Sequence, residues 1–114
     1  MANNFKSNLT SYLSLTSSHP SPANVYVCQA GTTATIIGMS ISNILTNNQI
    51  TANVILTSGT TSANLVRNAP ISPGQSLIPI GGDQKIVLKA GDYISVSASL
   101  INSADVIVSA LEIT

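Results

Sequence analysis

Charge is what this sequence has least of. Only 7% of its 114 residues are Asp, Glu, Lys or Arg, four basic against four acidic, and the formal net charge is zero; an ordinary globular domain carries about a quarter. With no positive field, the chain has nothing to concentrate it on a nucleic-acid backbone or an anionic membrane, and neither is expected as a partner. Solubility has to come from Ser, Thr and Asn. A surface with so little self-repulsion suits a subunit of an assembly. Tryptophan is absent, and Phe5, Tyr12, Tyr26 and Tyr93 make up the aromatic set, too few for an extensive stacking platform for sugars or single strands. A single cysteine, Cys28, excludes an intramolecular disulfide and a multi-cysteine zinc site. Because it lies in the apolar run 25–28, a buried, inert thiol is expected. No apolar run reaches the length of a membrane span, and the polar residues after Lys6 do not resemble the apolar core of a secretory signal. The expectation is a soluble chain made in the cytoplasm.

What is present is a period of two. From Asn24 onward, β-branched and other apolar residues alternate with hydroxyl and amide residues, and turn signals recur at short intervals. In 33–44, Ile37, Met39 and Ile41 are expected on one face and Ser40 and Ser42 on the other, with Asn47-Asn48 ending the strand. Ile50, Ala52, Val54 and Leu56 alternate with Thr51, Asn53, Ile55 and Thr57 before Ser58-Gly59 permits a hairpin turn. A strand at 63–67 is broken by 69–74, where Pro73-Gly74 signals a turn. Residues 77–80 read as an edge strand, since Pro79 cannot donate to a ladder. Residues 85–88 lead to the turn 89–92, then Ile94, Val96 and Ala98 oppose Tyr93, Ser95, Ser97 and Ser99. The last strand covers 105–113. About eight strands without a helix predict an all-β, antiparallel two-sheet sandwich of jelly-roll-like kind over residues 24–114. Residues 1–23, rich in Ser, Asn and Thr and closed by His19-Pro20-Ser21-Pro22, read as an extended N-terminal arm. Its Phe5, Leu9, Tyr12, Leu13 and Leu15 fit a short first strand, one helical turn, or anchors on a neighbouring subunit.

An enzyme needs a constellation, and the reactive inventory is His19, Lys6, Lys85, Lys89, Arg67, Asp83, Asp92, Asp105, Glu112 and Cys28. His19, beside Pro20 in the arm, is a solvated loop histidine rather than a general base or a ligand, because triads and metal sites need converging partners. Asp83 and Asp92 sit in turns, where a carboxylate accepts local backbone hydrogen bonds. Calcium is the sharper reading, but no acidic cluster has the spacing of a calcium loop. Gly81-Gly82-Asp83 and Ala90-Gly91-Asp92 lack the Lys-Ser/Thr ending and following helix of a phosphate loop. No catalytic residue, cofactor or metal is expected, and Tyr93 reads as a strand tyrosine that can also face a partner.

Three stretches, Val25-Tyr26-Val27-Cys28-Gln29-Ala30-Gly31-Thr32-Thr33-Ala34, Ile41-Ser42-Asn43-Ile44 and Lys85-Ile86-Val87-Leu88-Lys89-Ala90-Gly91-Asp92-Tyr93-Ile94-Ser95-Val96, resemble small virion structural proteins of tailed bacteriophages, especially cyanophages. The resemblance implies a non-enzymatic part of a phage particle, made in the host cytoplasm and carried in the virion. The expected function is that of a capsid decoration or cement protein. Its expected partners are the major capsid protein or other virion subunits, with homo-oligomers also expected. A tail, neck or fibre component, or a glycan-binding module on a host-recognition fibre, is the alternative. The expected interface residues are Phe5, Leu9 and Leu13 of the arm, and Tyr93.

Overall fold

The alternation of apolar and polar side chains translates into nine strands in the computed structural model, which describes residues 3–10, 23–81, 85–100 and 103–113. They are β1 (Asn3–Thr10), β2 (Ala23–Val27), β3 (Thr33–Asn43), β4 (Ile50–Ser58), β5 (Thr61–Ile71), β6 (Ser76–Ile80), β7 (Ile86–Leu88), β8 (Tyr93–Ala98) and β9 (Ala104–Ile113), with no helix among the described residues. All pairings are antiparallel. Sheet A has the order β1-β9-β3-β6, with β7 also paired to β3, and sheet B the order β2-β8-β4-β5. Successive strands cross repeatedly between the two sheets of the sandwich.

The core lies between the sheets because each strand commits one phase of its alternation inward. β4 contributes Ile50, Ala52 and Val54, β8 contributes Ile94, Val96 and Ala98, and β9 contributes Ala104, Val106, Val108 and Ala110, all buried. Cys28 is buried as its apolar run suggests. Pro79 falls in β6, at an edge of sheet A, where a missing N–H costs no ladder bond.

Three local readings change. Strict alternation grouped Ile37 with Met39 and Ile41, yet Ile36 is the buried residue and Ile37 is only half-buried. The β3–β9 register shifts between Ile36 and Gly38: a β-bulge inserts Ile37 as an extra residue and reverses the phase beyond it. Likewise β5 runs on through Pro70 to Ile71 instead of breaking at 69. As the edge strand of sheet B it tolerates a proline whose ring side faces no further strand. Within the segment read as an arm, residues 3–10 form β1, paired along its whole length with β9. Residues 11–22, with Tyr12, Leu13, Leu15 and His19, lie outside the described residues, as does Asp83.

One end of the sandwich is tied by Asn43, buried at the close of β3. Its Nδ2 donates to the carbonyls of Asn48 and Ile71 at 2.9 Å each. Its Oδ1 accepts the Leu45 N–H at 2.9 Å. A buried amide with these three bonds replaces water for two loops at once.

Candidate functional site

The two outer faces of the sandwich differ in kind. On sheet B the phase turned away from the core holds hydroxyls and amides, most of them buried, that bond to one another, beside Val27, Ile55 and Tyr93. Ser95 Oγ donates to Asn24 Oδ1 at 2.9 Å, Asn53 Nδ2 donates to Ser97 Oγ at 3.2 Å, and Thr57 and Ser62 hydroxyls meet at 3.0 Å. Asn68, in the left-handed region at φ 52°, gives its N–H to Asn53 Oδ1 at 2.8 Å. Tyr93 stands half-buried at the start of β8, opposite Thr57 and Val27. Much of this polarity is already spent inside the chain.

Sheet A turns a different phase outward. In β9 the inward residues alternate with Asp105, Ile107, Ser109, Leu111 and Ile113, which are half-buried or exposed. The register aligns Val87 of β7 with Thr35 of β3, Thr35 with Leu111 of β9, and Leu111 with Phe5 of β1. Because directly opposed residues share a face, these four form one line about 14 Å long, three strand spacings. A second line aligns Ser40, Ile107 and Leu9, and the shifted β3–β6 register sets Ile78 and Pro79 against Ser40. Phe5 is 76% exposed, Ile78 66%, Val87 63% and Ile107 41%. The three most exposed large apolar side chains among the described residues therefore all belong to this sheet. Of the charged residues in or beside this sheet, Lys6 stands in β1 opposite the inward Ala110, Glu112 of β9 is buried, Lys85 and Lys89 flank β7, and Asp105 lies near the start of β9.

The expected interface residues thus divide. Phe5 and Leu9 fall on two lines of sheet A, Tyr93 lies on the opposite sheet, and Leu13 is outside the described residues. Sequence reasoning passed over Val87, Ile107 and Leu111. A signal for the last two was available: in Val106-Ile107-Val108 and Ala110-Leu111 both phases are apolar, although a two-layer sandwich covers only one.

Among the described residues the reactive side chains do not assemble into a centre. Asp92 staples its own turn, accepting the Lys89 N–H on Oδ2 at 3.0 Å next to Gly91 at φ 90°. That amide, followed by the Ser58 hydroxyl, holds its carboxyl below the usual range. Tyr26 and Glu112, 86 residues apart, meet inside the sandwich, where the phenol O–H donates to Glu112 Oε2. Burial first, and then that bond, push the Tyr26 phenol up. Burial, followed by the nearby Glu112, does the same to the Cys28 thiol, which points toward the Thr32 carbonyl at 3.3 Å. Glu112 is only 5% exposed, and the described residues enclose no pocket through which a substrate reaches it. The arrangement braces strands β2 and β9. Among the described residues no three of His, Cys, Asp and Glu come close enough to hold a metal ion.

No family model matches the chain, and no curated protein or solved structure is similar to it.

Proposed function

We propose that this chain is a non-enzymatic structural protein of a tailed-phage particle, a decoration or cement protein that stabilises the capsid by bridging neighbouring capsid subunits. The observation that carries the reading is the outer face of sheet A, which bears exposed Phe5, Ile78, Val87 and Ile107 and few charges. Apolar side chains in such a group mark a protein-docking surface rather than a solvated one. The likeness of residues 25–34, 41–44 and 85–96 to small phage virion proteins supplies the particle, and the scarcity of charge suits a subunit held among others.

The test is to add the purified protein to heads that lack it and to locate it by electron cryo-microscopy. Density repeated over the junctions of capsid subunits, with heads that rupture at a higher temperature once loaded, is the expected outcome. Binding to tails, neck or fibres instead, with bare heads, would overturn the decoration role in favour of a tail-associated one.

A further inference from the structure

We infer that the outer face of sheet A is a contact between two copies of this chain, packed sheet on sheet about a two-fold axis, so that the bridging unit is a pair. The inference rests on the reading of this face as a docking surface and names its occupant.

Three features select a second copy. The first is charge. A face that meets itself sets its own groups against one another, and like charges in such a contact repel. Here the outward positions between the ends of the strands carry no charge, Lys6 of β1 being opposite the inward Ala110, and the border carries both signs, Lys85 and Lys89 flanking β7 and Asp105 near the start of β9. The second is area. Four strand positions about 4.8 Å apart, and about eight residues of about 3.4 Å along each, give a projected patch on the order of 500 Å². A standard interface covers about 800 Å² of accessible surface on each partner, and a corrugated side-chain surface exceeds its own projection, so the two are of one size class. The third is shape. Val87, Thr35, Leu111 and Phe5, with Ile107 and Ile113, form the same kind of surface that the inward phases of β3 and β9 present to sheet B. Sheets with aliphatic and small side chains pack face to face at about 10 Å. Sheet B exposes less apolar surface, Val27 at 41% being its one exposed large apolar side chain among the described residues, while its Asn53, Ser95 and Ser97 are buried and hydrogen-bonded. A pair formed this way directs its two B sheets to opposite sides and leaves the loop ends of each copy free to rest on separate capsid subunits.

The full-length protein is examined by sedimentation equilibrium alongside V87K and I107K, both altered at exposed sites where folding is spared, and N64K on exposed β5 as the control. Expected are a dimer for the parent and for N64K, and association weakened about tenfold or more in V87K and I107K, because a charge would be buried without a partner. Circular dichroism should be the same for all four. A parent that stays monomeric at concentrations near 100 µM, where even a weak interface of about 10 µM affinity is filled, would overturn the inference, as would dimers that survive both lysines or an oligomer of another order. Binding of the same proteins to heads is scored separately. A monomer that loads onto capsids refutes the pair and spares the decoration role, whereas a dimer that ignores capsids does the reverse.

Discussion

At the scale of single residues, the polar side chains that carry weight are those withdrawn from water. Asn43 uses its amide to fasten the 44–49 loop and the end of β5 to the close of β3. In Asn43→Ala the Ile71 carbonyl loses a buried donor, and the penalty for such a group is about 1–3 kcal/mol. Urea unfolding should register a loss of that size without a change in the slope of the transition, and an unchanged midpoint would show that water replaces the amide. The Tyr26–Glu112 bond belongs to the same class. Neither residue advertised it: Glu112 has a strand position of the inward phase, where a carboxyl is unexpected, and its partner lies 86 residues away. Local pattern carries no information about a contact of that span.

Elements reveal how far alternation can be trusted. In β4 and β8 it picked out Ile50, Ala52, Val54, Ile94, Val96 and Ala98 of the core, but Asn53, Thr57, Ser95 and Ser97 of the other phase are buried too, and Leu56 is only half-buried. In β3 it failed at one residue, because the bulge at Ile37 changes phase and both Ile36 and Ile37 are apolar, so neither phase stands out. β1 was legible only as one of several options, for its eight residues are mostly polar and its pairing partner, β9, is at the other end of the chain. Its membership of sheet A changes what a truncation does. Removing residues 1–10 uncovers the edge of β9 along Val106-Ile107-Val108, an apolar strand edge of the kind that templates aggregation. The shortened chain should keep a β-dominated circular dichroism spectrum, melt at a lower temperature and scatter light increasingly with concentration. Equal melting and a monodisperse solution would show that β1 adds nothing to the sheet.

The whole molecule is a sandwich poor in charge, whose most exposed large apolar side chains among the described residues lie on sheet A. Contacts through the apolar side draw on burial rather than on Coulomb attraction, which has a measurable consequence. Between about 0.05 and 0.5 M salt the screening length shrinks from about 14 to 4 Å, a change that weakens association through exposed ion pairs. Self-association of this protein should instead hold steady or strengthen over that range in sedimentation experiments. A steep fall would point to Lys85, Asp105 or other charged groups as the source of affinity.

Composition and period by themselves determined that the chain is all-β, that its strands have one inward phase, that Cys28 is buried, and that nucleic acid and membrane surfaces lack an electrostatic handle. These follow from local chemistry: side-chain direction alternates every residue, turns need Gly, Pro, Asn or Asp, and fields need net charge. Which strands are neighbours, and so which outward residues come together, was decided only by the tertiary structure. Val87, Thr35, Leu111 and Phe5 are scattered from one end of the sequence to the other, and each is an unremarkable strand residue until the register of β7, β3, β9 and β1 draws them into one line. Alternation tells that a side chain points away from its neighbour; only the pairing of distant strands tells what it points toward.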